Sequence, residues 1–279
     1  MQQMATKYDN IIGAGCSFIH GSNILVEKDG KFAGDKLRAA KLIADKLRIP
    51  EINLAHPGAS NDRILYNIYE YWSKNQTSND LYIIGTSGIS RQLYYSNLTE
   101  EFWDIHAFDY MDDDTSLKRS ERLFGENTLD FYKEWREKEA KYLFNLEVEQ
   151  KKLCLKILGL SSFLKLNNIN HIFLNSIDDH ISPIKEKINY LSFNIPKNSN
   201  KEFNKSDFFN TLTIEDCWYH YLRIKHDEVC KNYNDTSYRI PYPPYGKWFC
   251  GGHPSPNAHK DLSKKIIEFH NELYPEYKI

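Results

Sequence analysis

Four short turns hold the residues of this sequence that could do chemistry: Gly15-Cys16-Ser17, Pro57-Gly58-Ala59, Gly85-Thr86-Ser87 and Gly252-His253-Pro254. A serine hydroxyl becomes a nucleophile when a base within hydrogen-bond reach takes its proton, and the oxyanion that follows needs preorganised donors. Ser17 supplies the hydroxyl, and its backbone N–H belongs to the same turn. His253 supplies the base. Gly58 offers a backbone N–H that a substrate oxygen can approach closely, because glycine carries no Cβ. Ser87 adds a hydroxyl, or its turn a further N–H. Together these groups would support hydrolysis through a covalent intermediate on Ser17.

Each residue also has a plainer reading. A serine after a strand-ending glycine is ordinary turn chemistry, and His253 could simply hydrogen-bond within its own turn. His259, at the start of the last helix, competes with His253 for the role of base. His20 and His56 lie at strand ends, where polar turn residues need no function. Arg91, just past the third strand, could meet an acidic substrate group, although a surface ion pair is its expected fate. Cys250, His253 and His259 lack a fourth partner and a specific spacing, so no zinc site is expected. The run Asp112-Asp113-Asp114 reads as solvated loop charge. GAGCSF lacks the third glycine of a dinucleotide-binding fingerprint, and the second strand ends with no acidic residue for a ribose. No cofactor is implied.

Positioning these turns requires a parallel sheet. Ile11 and Ile12 form a short apolar run stopped by Gly13 and Gly15. Leu37, Ala40, Ile43, Ala44 and Leu47 recur at helical spacing, with Pro50 as the stop. EINLA, from Glu51, is the second strand, and Ser60 or Asn61 can cap the helix after it. LYII, from Leu81, is the third strand and breaks at Gly85. Strand, helix, strand, helix and strand in succession signal a parallel sheet with the glycine turns along one edge. From Gln92 to Asp130 the periodicity is lost, which reads as an insertion over that edge. A single long helix is expected from Phe131 to Leu164, with a stripe through Leu143, Leu146, Leu153, Ile157, Leu160 and Leu164. HIFL, from His171, is a fourth strand. Asp29-Gly30 marks a turn, Ser182 to Tyr245 is polar and interrupted, and the chain ends in a helix through Leu262, Ile266, Phe269 and Leu273. One α/β domain over 1–279 is expected, with insertions at about 92–130 and 180–248 and no internal repeat.

The chain has 279 residues, 36 basic against 38 acidic side chains and a formal net charge of −2, so it carries no bulk electrostatic footprint for nucleic acid or an anionic membrane. No apolar run reaches transmembrane length, and the first residues lack a signal-peptide pattern, so a cytoplasmic protein is expected. The five cysteines are scattered without a CxxC pair, which fits a reducing compartment. Tyrosine is abundant at 19, and some aromatics are expected to line a groove.

The four turns, in this order, resemble the blocks of the SGNH (GDSL-type) hydrolases, serine esterases with a three-layer α/β/α sandwich around a flavodoxin-like parallel sheet. Gly15-Cys16-Ser17 is similar to the GDS block with cysteine for aspartate. Gly58, in NLAHPGASN, resembles the glycine block. Gly85-Thr86-Ser87 resembles the GxN block with serine for asparagine, and Cys250-Gly251-Gly252-His253-Pro254 resembles the DxxHP block with cysteine for aspartate. The combination is closer to versions found in bacteriophage genomes than to secreted lipases, and covers roughly residues 8–91 and 246–275. The resemblance implies a nucleophile at Ser17, a base at His253, and oxyanion or substrate contacts from Gly58 and Ser87. It also implies an ester substrate, such as a small molecule or a carbohydrate acetyl ester. The third member is open: Cys250 is a poor acceptor for a histidine N–H, and Asp178 and Asp179 after the fourth strand are the alternatives. The missing aspartate keeps a second expectation in view, a catalytically idle module used for binding or assembly, for example in a phage particle.

Overall fold

The computed structural model describes residues 8–22, 24–26, 31–76, 79–106, 113–177, 179–193, 195, 216–229, 247–250 and 252–279. Asp178, Gly251 and the expected Asp29-Gly30 turn lie outside them. Strand β1 (Ile11–Ala14) leads into the four-residue helix α1 (Ser17–His20). A two-residue hairpin, β2 (Leu25–Val26) and β3 (Lys31–Phe32), follows. The expected helix from Asp35 is two, α2 (Gly34–Leu37) and α3 (Ala39–Leu47), because Arg38 is extended with ψ 154°. Its buried guanidinium forks onto Glu51 in β4 (Glu51–Asn53) at 2.5 and 2.6 Å. Helix α4 (Asn61–Asn75) then returns to β5 (Leu81–Thr86).

The described part of the region expected to lack periodic structure forms regular elements. Strands β6 (Arg91–Ser96) and β7 (Glu101–His106) pair antiparallel as a hairpin, and helix α5 (Asp113–Phe124) follows. Helix α6 (Leu129–Lys138), α5 and this hairpin share a small core of Ile105, Leu123 and Tyr132, with Tyr94, Trp103 and Trp135 against it. The long helix expected from Phe131 is broken. A π turn spans Glu139–Leu143, Phe144 is extended, and α7 (Leu146–Leu166) restarts with Asn145 Oδ1 accepting from Val148 N at 3.1 Å. Leu143, assigned above to the buried stripe, is 76% exposed, and the buried part of that stripe begins at Leu153.

Strand β8 (Asn170–Asn175) completes a sheet of four parallel strands in the order β4-β1-β5-β8. Every residue of β1 and β5 is buried, as strands covered on both faces must be. Their helices meet in pairs. Helix α9 (Pro256–Leu273) packs on α3, and α4 touches α7 through Trp72 against Phe163, with ring centroids 4.7 Å apart. Between β8 and α9 lie a 3₁₀ turn at Ser182–Lys187, helix α8 (Trp218–Val229) and a two-residue ladder of β9 (Phe249–Cys250) with β10 (His253–Pro254). No helix among the described residues is long and apolar enough to cross a membrane.

Candidate active site

In the sheet the second strand lies on one side of the first and the third on the other, so the connections after β1 and β5 diverge between them. Such a switch point opens a crevice at the carboxyl ends of the strands. Ser17 opens α1 directly above it. The close seat of α1 requires two glycines: a Cβ on Gly15 or on Gly85 would stand 2.5 Å from Ile19 Cγ1. Beyond its ladder, β4 keeps step with β1 through Leu54 N to Gly13 O at 2.7 Å and His56 N to Gly15 O at 3.0 Å. This register carries the Gly58 turn up beside Gly15-Cys16-Ser17. Gly58 has φ +79°, a conformation that favours glycine, and a Cβ there would meet nothing within 4 Å. Its N–H has no hydrogen-bond partner among the described residues.

His253 reaches the same place from the other end of the chain. Strand β10 packs on α1, and the half-buried His253 ring meets Phe18 edge-on, with centroids 5.5 Å apart. Phe18 is backed by Trp218 and Tyr219 of α8. Ser17 is 7% exposed, and its Oγ makes no hydrogen bond, to His253 or otherwise, among the described residues. Ser17 and His253 are therefore neighbours through Phe18 without a closed contact.

The remaining sequence-derived residues sort by what they touch. Cys250 pairs with His253 across the ladder, and its Sγ–H donates to Pro254 O at 3.4 Å. Burial pushes its thiol up to about 12, so it fastens the turn that holds His253 and takes no proton from the ring. Asp179 accepts from Asn175 Nδ2 at 2.9 Å in a buried network with Tyr190 and Asp216. Burial raises its carboxyl pKa, Ser182 opposes this by hydrogen bonding, and the Asp216 charge adds to the rise. His259 is fully buried, its Nδ1 accepts from Ala39 N at 3.2 Å, and burial pushes it down to about 3. It ties α9 to α3 and cannot compete with His253 for a substrate. Among the described residues no three His, Cys, Asp or Glu side chains converge as a metal would require.

Ser87 is fully buried and already engaged. Its N–H donates to Asn61 Oδ1 at 2.8 Å, Asn61 Nδ2 donates to its carbonyl at 2.9 Å, and its Oγ accepts from Arg91 Nη1 at 3.0 Å. The Cys16 thiol is raised by burial, against which the Arg91 charge and a hydrogen bond with Ser87 act. Two residues here carry more than sequence reasoning gave them. Ser60, not Asn61, caps α4 through its Oγ and Arg63 N at 3.1 Å, which frees Asn61 to clamp the Ser87 turn. Arg91, expected in a surface ion pair, makes none among the described residues and reaches inward to Ser87. A glycine followed by Ser-Asn at a helix start was the available signal for Asn61; nothing local marks Arg91.

Compared with protein-family models and with curated proteins, the chain matches none.

Proposed function

We propose that this protein is a serine esterase of the SGNH type, with a three-layer α/β/α sandwich and an acyl-enzyme on Ser17. The observation that carries this is the strand order, which brings the Ser17, Gly58 and Ser87 turns together at one switch point with His253 packed against Phe18 beside them. In the reaction Ser17 Oγ attacks the ester carbonyl as His253 takes its proton. The N–H groups of Ser17 and Gly58 receive the developing oxyanion, and losing one such donor typically costs about 10²- to 10³-fold in rate. His253 then protonates the departing alkoxide, and water repeats the sequence to release the acid. Ser87 serves this site by holding Arg91 and Cys16, since its own N–H is spent on Asn61. The Ser17–His253 contact tightens on substrate binding, as catalytic hydrogen bonds that are long in free enzymes do. The substrate is an ester of small-molecule size, an acetylated carbohydrate being the class the resemblance suggests.

A second reading, an idle binding module, is favoured by one observation: Cys250 donates to Pro254 O and cannot orient the histidine as an aspartate would. A fluorophosphonate probe and p-nitrophenyl acetate decide between them. The esterase labels once and turns over, and Ser17→Ala and His253→Ala lose both properties. A protein that neither labels nor outpaces these variants is the binding module.

A further inference from the structure

Beside Gly58 the structure opens a cavity of about 770 Å³ between the α4 start, the β6–β7 hairpin and α5. Its charge is at odds with the whole chain, whose formal net charge is −2. Among the described residues Arg63, Arg91, Lys118, Arg119 and Arg122 line it, against the carboxylates of Glu101 and Asp104. Asp104 is already neutralised: Oδ2 meets Arg63 Nε at 3.2 Å and Oδ1 accepts from Ser60 N at 2.7 Å. Arg91, Lys118 and Arg122 form no ion pair with any described carboxylate. Burial pushes the Arg119 guanidinium below its usual value; Tyr132 opposes this, and the charges of Arg136 and Arg91 add to it.

We infer that this cavity binds an oxyanion, a phosphate or carboxylate group carried on a sugar-sized substrate. The guanidinium of Arg122 lies over the Trp103 ring at 4.6 Å, and stacking of this kind uses the planar face while leaving the N–H edge for a bidentate acceptor. Arg91 joins the cavity to the proposed catalytic turn, since it lines the one and donates to Ser87 in the other. A concave space of this size with aromatic walls suits a small molecule. That the anion belongs to a substrate rests on the esterase reading; the anion site itself does not.

Isothermal titration at low ionic strength tests it, with a glucose monophosphate, glucuronate and glucose as probes. The unmodified protein and Ser17→Ala both bind at least one charged sugar about tenfold or more tightly than glucose, with the better of the two naming the anion. Lys118→Gln/Arg122→Gln, at exposed positions that folding tolerates, weakens that binding about tenfold, as does Lys118→Gln more mildly. Equal affinity for all three sugars, no binding of any, or an unchanged affinity in the double variant overturns the inference. Charged-sugar binding by a protein that fails the fluorophosphonate test supports the anion site while removing the esterase, so the two failures are distinct.

Discussion

Replacing Asn61 by alanine is the sharpest test of how the proposed site is held. The side chain makes two hydrogen bonds to the backbone of Ser87, at 2.8 and 2.9 Å, and Ser87 is fully buried. Asn61→Ala leaves a buried N–H and a buried carbonyl without partners, at about 1–3 kcal/mol each, so a total near 3 kcal/mol is expected. With about 2.1 cal/mol/K of unfolding entropy per residue, a chain of 279 residues loses about 5 °C of Tm for that change. Scanning calorimetry reads it directly. Ser60→Ala is the internal control, because it removes only the helix cap next door and costs about 1 kcal/mol, or less than about 2 °C. Were Asn61 merely an alternative cap, the two variants would fall together. An Asn61→Ala midpoint no lower than that of Ser60→Ala refutes the clamp.

Two further outcomes follow from buried groups. His171 is held neutral by burial, which lowers its pKa to about 4, and burial lowers His259 to about 3. The unfolded chain therefore binds protons that the folded one refuses, and the stability these groups give is full above about pH 6.5 and lost as pH falls toward 4, by up to about 1.4 kcal/mol per pH unit each. Urea midpoints measured across that window should fall with acidification and fall less steeply in His171→Gln; an unchanged slope contradicts the assignment. Gly85→Ala drives a Cβ into Ser176 Oγ and to 2.5 Å from Ile19 Cγ1, a crowding that costs about 1–3 kcal/mol. Adding Ile19→Ala should recover part of this in urea melts, whereas strictly additive losses would show that α1 is not seated on that glycine.

The sheet was legible because β1, β5 and β8 hold short apolar runs cut off by glycine or polar turn residues, and β4, only EIN, was placed by the helices on either side of it. The turns after β1 and β5 were legible for the same reason, since only glycine at positions 15 and 85 lets Ile19 lie so close. What local pattern could not give was pairing across the chain. Asn61 and Ser87 are joined by side chain to backbone, and Ser-Asn at a helix start looks the same whichever residue caps. The β6–β7 hairpin escaped because β6 is intermediate in burial at four successive positions, which erases the two-residue alternation. The break before α7 escaped because leucines continue at helical spacing through it, while Asn145 restarts the helix. His253 was singled out from its Gly-His-Pro turn, but its seating on Phe18 depends on α8, in a stretch that reads as polar and interrupted.

The small core of Ile105, Leu123 and Tyr132 is separate from the core of the sheet. A unit with its own core can open by itself, and such local opening has a free energy below that of global unfolding. Arg119 and Arg122 sit on that unit, whereas Gly58 and the start of α4 belong to the sheet side. A molecule bound across the cavity holds the two together, so by linkage it must shift the opening equilibrium of the insertion by an amount set by its concentration relative to its Kd. Occupancy would thus be written into the exchange rates of amides in α5 and α6, far from any bond that is made or broken.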